Sequence, residues 1–273
     1  MVTTDPFLLD VLKAALLGLV EGLTEFLPIS STGHLVLAGD ALDFSGSVAA
    51  PFLIFIQLGA VLAVVWHFRA DLAARLRRLP TSPTDRRLAL NLVVAFLPAA
   101  LVGLAWGDLI EAHLLAPVPV ALAQIAGALL IFWAERRNAQ ADTFELDAVR
   151  PAQAVGIGLA QVLALWPGAS RAASTIIGGM LTGLDRPTAT GFSFYLAIPT
   201  LGAASVYALA KHAGGLSASD MVLLAVGFVT SFLAALAVIR WLLRYVAHHS
   251  LAVFAWYRVA LGVAVLLWVA LGR

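Results

Sequence analysis

Residues 21–34 read Glu21-Gly22-Leu23-Thr24-Glu25-Phe26-Leu27-Pro28-Ile29-Ser30-Ser31-Thr32-Gly33-His34 and interrupt a stretch, 8–40, that is otherwise apolar. Pro28 lacks a backbone donor and disfavours helix in the residue before it, so a helix arriving there ends. The Ser-Ser-Thr run that follows can cap a new helix. A second stretch, 152–183, is built alike: an apolar run, then Trp166-Pro167-Gly168-Ala169-Ser170-Arg171, then Ala172-Ala173-Ser174-Thr175 and an apolar close. Each half of each stretch falls short of the roughly 20 helical residues that a bilayer crossing takes. Both are therefore expected to be re-entrant helical hairpins that enter and leave on one side. Irregular backbone at membrane depth persists only inside protein or beside water, so these hairpins must be enclosed by the rest of the chain.

The composition agrees with a membrane setting. Of 273 residues, 61% are hydrophobic and 12% charged, against about 25% charged in soluble domains. Too few polar side chains remain to cover a water-soluble core, so the surplus apolar surface must meet lipid. A net charge of +1 leaves no basic stripe to neutralise phosphates along a duplex, which argues against a nucleic-acid partner. The absence of cysteine excludes disulfides, thiolate metal sites and cysteine nucleophiles. The opening MVTTDPFLLD carries two acids and no basic residue, so no cleavable leader is expected. Six further apolar runs, near 49–68, 88–106, 116–134, 189–210, 220–240 and 251–271, are long enough to span. The expected fold is an all-α integral membrane protein with six transmembrane helices and two re-entrant hairpins.

Charge orients it. Arg69, Arg75, Arg77, Arg78, Arg86 and Arg87 place 69–87 in the cytoplasm by the positive-inside tendency. Following the chain, Asp108, Glu111 and His113 lie outside; Arg136, Arg137, Arg150 and Arg186 lie inside; 211–219 is outside, Arg240 and Arg244 inside, and Lys13, Lys211 and Arg273 outside. Two full crossings in place of the hairpins would keep the same parity. Residues 1–135 and 150–273 then each read as a broken element followed by three crossings, joined by the polar linker 135–150. Three crossings is an odd number, so the second repeat is inverted. Gly18-Leu19-Val20-Glu21 ahead of Pro28 resembles Gly158-Leu159-Ala160-Gln161 ahead of Pro167. In inverted repeats the broken elements meet near the midplane and form the site. A single membrane domain is expected, because neither hairpin could be buried without the other half.

The polar groups at the breaks carry the chemistry. Glu21 and Glu25, four apart, share a helix face, and two carboxylates in an apolar segment are costly unless paired, solvated or bound to a cation. The pair suits a divalent cation, Mg²⁺ or Ca²⁺, or a carboxylate beside a carboxylic acid; a buried structural pair is the bland alternative. Ser30, Ser31 and Thr32 can cap the second half, and a helix N-terminus with Thr32 and Gly33 also attracts phosphate. His34 stands within a turn of both serines and suits acid–base work. Arg171 opens an apolar helix, where its charge opposes the helix dipole; Glu21, Glu25 or a phosphate held with Ser170, Ser174 and Thr175 must compensate it. Weaker candidates have structural readings. Arg258 beside Trp256 and Tyr257 reads as an interfacial anchor or a structural pair, and Gln57 and Gln161 as packing hydrogen bonds. His67, His113, His212, His248 and His249 fall at segment ends.

The runs EGLTEFLPISSTGHL (21–35), IQLGAVLAVV (56–65), ALWPGASRAASTIIGGML (164–181) and FSFYLAIPTLGA (192–203) together resemble the undecaprenyl-pyrophosphate phosphatase family, membrane enzymes linked to bacitracin resistance. The resemblance covers nearly the whole chain in order and spacing. It implies hydrolysis of the terminal phosphate of a C55 polyprenyl pyrophosphate in the bacterial cytoplasmic membrane, with membrane lipids as surroundings; the charge pattern above puts the site on the exterior or periplasmic side. It places the family's acidic pair on Glu21 and Glu25, its serines on Ser30 and Ser31, its histidine on His34 and its phosphate-binding arginine on Arg171. Its second-loop serine and threonine fall on Ser170 and Thr175. After the arginine the family commonly has Ser-Gly-x-Thr; here Ala172-Ala173-Ser174-Thr175 moves a hydroxyl from 172 to 174. Ser31 is the expected nucleophile with His34 as its base, Ser30 or direct attack by water being the alternatives. A homodimer is left open. The rival class is a polyprenyl-phosphate transporter or flippase, since broken helices in inverted repeats also build carriers; a carrier, however, has no need of a nucleophile beside a base.

Overall fold

The computed structural model describes residues 6–44, 49–212 and 217–271. Of the charges that oriented the chain, the side chains of Glu111 and Lys211 and the whole of Arg273 lie outside the described residues, as do the side chain of His212 and residues 1–5. Among the described residues the chain forms α-helices and short 3₁₀ turns and no strand. In order these are α1 (Pro6–Thr24), α2 (Ser31–Ala41), α3 (Ala49–His67), α4 (Arg69–Arg78), α5 (Pro83–Leu114), α6 (Pro117–Arg137), α7 (Pro151–Val162), α8 (Arg171–Leu181), α9 (Arg186–His212), α10 (Ala218–His248) and α11 (Ala252–Ala270). Helices α5, α6, α9, α10 and α11 are long and apolar enough to cross a bilayer; α3 counts as a sixth together with α4, from which it is bent by 68°. The outward faces are apolar: on α1, Leu8, Leu12, Leu16, Leu19 and Leu23 recur at helical spacing and are all exposed. Such a stripe suits contact with lipid tails.

Both expected breaks are present. Helix α1 stops at Thr24, ahead of Pro28, and α2 begins at Ser31. Helix α7 stops at Val162, tightens into a 3₁₀ turn at Leu163–Leu165, and α8 begins at Arg171. Ser30 and Ser170, the residues just ahead of α2 and α8, both take left-handed backbone, with φ of 70° and 73°. For a residue with a Cβ that conformation costs of order 1–3 kcal/mol, and it recurs at matching places in the two halves. Gly168, at φ 96°, lies so near the α6 backbone that a Cβ would press on Val120.

Packing pairs the halves. Helix α1 lies along α10 and α7 along α5, while α3 meets α9 and α6 meets α11. The sequence-matched glycines serve these contacts: a Cβ on Gly18 would strike the backbone of Gly227 in α10, and one on Gly158 the backbone of Ala95 in α5. Small residues let helix backbones approach where lipid offers no hydrophobic drive for association. Helix α8 sits innermost, against α6, α7 and α9.

The polar linker is tied down at the arginine-rich end. Arg75 reaches Asp71 (2.7 Å), Asp85 (3.0 Å) and Asp147 (2.6 Å), and Tyr195 of α9 hydrogen-bonds Asp71. Arg186 grips Glu135 through two N–H groups, at 2.8 and 2.6 Å. In the linker, the Thr143 hydroxyl and then the Arg150 guanidinium hold the Asp142 carboxyl below its usual range. A lowered carboxyl favours the folded state above about pH 4, and that contribution fades as the pH falls through the lowered value.

Candidate active site

The two breaks face each other across a cavity of about 200 Å³. The first contributes Glu25, Ser30, Ser31 and Thr32, the second Trp166, Pro167, Gly168, Ser170 and Arg171, and the walls carry Gln57, Gln161 and Thr200. Glu25 is its hub. The Ser31 hydroxyl donates to Glu25 Oε2 at 2.6 Å, and Arg171 Nη2 donates to Glu25 Oε1 at 3.1 Å. Both side chains of that ion pair are buried, at 8% and 6% exposed, so removing either would strand a charge away from water. The sequence left Arg171 a choice of Glu21, Glu25 or phosphate; in the structure the compensating group is Glu25.

Arg171 is held from behind. Its Nη1 donates to the backbone oxygen of Ser193 (3.1 Å) and to the Ser193 hydroxyl (3.2 Å). That hydroxyl also pairs with Thr175 Oγ1 at 2.7 Å, and the guanidinium lies 5.6 Å from the centre of the Phe26 ring. Its Nε–H is buried and finds no acceptor among the described residues. An unpaired buried donor on a guanidinium is unusual, and it suits a further anionic oxygen. Thr175 therefore touches the arginine's support, and Ser174 is buried on α8; neither lines the cavity. Ser170 accepts from the Ala173 backbone N–H at 3.2 Å and so caps α8, while Ser30 makes no such cap for α2.

The two acids differ. Both oxygens of Glu25 are engaged, whereas Glu21 is 1% exposed and its Oε2 has no partner among the described residues. A free carboxylate oxygen one helical turn from a second carboxylate, with hydroxyls alongside, is a donor set of hard oxygens. Such oxygens are the ligands that Mg²⁺ and Ca²⁺ take, although Glu21, unlike Glu25, does not line the cavity. The described residues hold no cluster of three or more His, Cys, Asp and Glu ligands, so any cation here would need oxygens from elsewhere to complete its shell.

His34 does not face Ser31. Its Nδ1 lies 2.7 Å from the Ser30 backbone oxygen and its Nε2 2.6 Å from the Tyr257 hydroxyl. Neither His34 nor Gly33 lines the cavity. The carboxylate that accepts from the Ser31 hydroxyl is Glu25, at 2.6 Å. Arg258 also departs from expectation. It is neither at an interface nor paired with an acid: fully buried, it donates to the backbone oxygens of Ala123, Gln124, Pro28, Gly168 and Ala169 at 3.0–3.1 Å. It thereby ties α11 and α6 to both breaks. Gln161 donates to the Ala95 backbone oxygen and accepts from Thr200, and Gln57 accepts from Ser205; these packing bonds also line the cavity. Ser193 and Tyr257 went unread in the sequence. A serine flanked by Phe192 and Phe194 was the available signal for the first; the second had none.

The family described as Bacitracin resistance protein BacA matches residues 14–264. The chain belongs to this family. It is 52% identical over 262 residues to an undecaprenyl-diphosphatase of Dechloromonas aromatica, covering 96% of this chain and 95% of that one. It is 53% identical over 260 residues to undecaprenyl-diphosphatase 2 of Rhodospirillum rubrum, covering 95% of each. An undecaprenyl-diphosphatase of Acidovorax ebreus is 53% identical over 257 residues, covering 94% of each. These BacA relatives are named for a hydrolase, and no observation on this chain favours the carrier reading.

Proposed function

We propose that this chain is an undecaprenyl-diphosphatase: it removes the terminal phosphate of undecaprenyl pyrophosphate, leaving undecaprenyl phosphate and inorganic phosphate. Recycling the carrier lipid of cell-wall synthesis in this way accords with the bacitracin-resistance family to which the chain belongs. The observation that carries the reading is the linked trio Ser31–Glu25–Arg171, assembled from the two breaks in one cavity. A hydroxyl donating to a buried carboxylate is a nucleophile beside its base. A buried guanidinium whose Nε–H finds no acceptor among the described residues supplies phosphate recognition.

In this reading Arg171 and the N-termini of α2 and α8 hold the pyrophosphate. Ser31 attacks the terminal phosphorus as Glu25 takes its proton; the bond to the bridging oxygen breaks, and undecaprenyl phosphate leaves. Water then cleaves the phosphoserine. Arg171 matters most as charge spreads over the transferring oxygens. Ser170 and Thr175 act behind this line, one capping α8 and the other bracing Ser193. Glu21 and Glu25 would hold a divalent cation, which supplies neutralising charge beside the phosphates. Both breaks belong to one chain, so the reading requires no second copy. The tail stays in the apolar phase, where each buried CH₂ contributes about 0.8 kcal/mol.

The arginine-rich end lies in the cytoplasm in this reading, the two halves are inverted repeats, and the broken helices re-enter. The cavity then opens to the outer side of the cytoplasmic membrane, where spent carrier is released. The test is phosphate release by purified protein from undecaprenyl pyrophosphate, with and without chelator. Ser31→Ala should lose at least about 10²-fold in turnover; near-normal release would remove Ser31 as nucleophile. A membrane-impermeant inhibitor should block activity in sealed right-side-out vesicles, and no effect there would overturn the orientation.

A further inference from the structure

Tyr257 belongs to the last helix, far in sequence from either break, yet its hydroxyl lies 2.6 Å from His34 Nε2. The two rings are nearly parallel, 8° apart in plane with centres 5.6 Å apart. On the other side of the imidazole, Nδ1 faces the Ser30 backbone oxygen at 2.7 Å. A carbonyl only accepts, so Nδ1 carries the hydrogen. In the neutral ring Nε2 is then an acceptor, and the Tyr257 hydroxyl donates to it. His34 is thus fixed in one tautomer and one orientation by two partners, and neither is Ser31.

What His34 holds is the strained peptide. Ser30 keeps its left-handed φ of 70° without a side-chain cap, and a conformation of that cost persists only where surrounding contacts over-determine it. The Nδ1–H bond to its carbonyl is such a contact. The next residue, Ser31, donates to Glu25, so the setting of the Ser30 peptide sets the line of the nucleophile. Tyr257 in turn is held by its neighbour. Arg258 is fully buried, bonded to the Pro28 oxygen of the first break and to the Gly168 and Ala169 oxygens of the second. It also packs where a Cβ on Gly127 would leave no room. The register of α11 against both breaks is therefore fixed, and Tyr257 is carried to His34 by it.

We propose that Tyr257 is a positioning residue of the reaction: through its hydrogen bond it fixes His34, which in turn sets the Ser30 peptide and so the aim of Ser31 at phosphorus. This rests on the phosphatase reading above. The bland account of a tyrosine that is 44% exposed is an anchor at the lipid–water boundary, which would act through its ring and not through His34.

The experiment is a double-mutant cycle on phosphate release from undecaprenyl pyrophosphate. Tyr257→Phe keeps the ring and removes the donor. It should lower kcat roughly three- to tenfold, the scale of one lost hydrogen bond, and leave KM unchanged. In a His34→Ala background the same change should alter kcat by less than about twofold. An unchanged kcat in Tyr257→Phe overturns the proposal, as does an equal loss in both backgrounds or a change confined to KM. A second measurement needs no active variant. In ¹⁵N-histidine-labelled wild-type protein, with His34 assigned by its loss in His34→Ala, the ring should show the Nδ1–H tautomer with a hydrogen-bonded Nε2. The opposite tautomer overturns the proposal. If wild-type protein releases no phosphate, the phosphatase reading falls and the proposal with it. Normal wild-type release with a silent Tyr257→Phe sinks the proposal alone.

Discussion

The two broken elements share a plan but not a degree of enclosure. Each turns on a left-handed serine, Ser30 or Ser170, and each presents the start of an 11-residue helix to the same cavity. Yet α8 is buried along almost its whole length, Ala172 to Met180, whereas α2 buries only Ser31 and Gly33 and leaves Val36 and Leu37 exposed. The groups that would do covalent chemistry therefore sit on the loosely enclosed element, and the group that would grip phosphate sits on the enclosed one. A rigid arginine offers a fixed charge to a polyanion and needs no reorganisation at the moment of transfer. A nucleophile needs only local aim, which neighbours such as Glu25 and the Ser30 peptide supply.

The largest effect should come from the enclosed side. Arg171→Ala removes the cation and leaves Glu25 buried without its partner. At least about 10²-fold loss in turnover is expected, or about 2.7 kcal/mol, read as phosphate release. Arg171→Lys should recover only part of it, because a lysine cannot reach Glu25 and Ser193 with a planar fork. Full activity in Arg171→Lys would show that point charge suffices and would remove the rigid-grip half of the comparison.

Next come paired glycine substitutions. A Cβ on Gly178 of α8 would lie 2.5 Å from Ala160 Cβ and 3.3 Å from the Ile157 Cα, so Gly178→Ala must push α7 away. Overpacking of this kind costs about 1–3 kcal/mol. Gly39 of α2 has nothing within 4 Å of its Cβ position, and Gly39→Ala should raise stability by about 0.5–1 kcal/mol through helix propensity. Thermal unfolding in detergent checks both signs. Equal effects would mean that α2 is enclosed as tightly as α8.

This asymmetry could not be read from the chain, and the reason is instructive. Helix existence and the two breaks were legible because proline, glycine and apolar run length act locally. The meeting of Glu25, Ser31 and Arg171 was legible because polar groups in apolar surroundings must find one another. His34 misled because spacing gives proximity along a helix, not side-chain direction: it lies within a turn of Ser31 but turns back to the Ser30 carbonyl and outward to Tyr257. Arg258 misled because its partners are backbone oxygens, which leave no trace in side-chain identity. Ser193 supports Arg171 from a helix that carries no motif of charges.

The smallest effect separates the two serines themselves. Both carry the same backbone strain, and Ser→Ala changes that strain little because alanine also has a Cβ. Only Ser170 uses its hydroxyl as a cap, accepting from Ala173 at 3.2 Å; Ser30 has no such bond. Ser170→Ala should therefore cost about 1 kcal/mol, a fall in Tm of a few degrees, about 2–4 °C, for a chain of this size. Ser30→Ala should leave Tm nearly unchanged. The reverse order would mean that the Ser30 hydroxyl makes a stabilising bond of its own, and α2 would then be held at its N-terminus as firmly as α8.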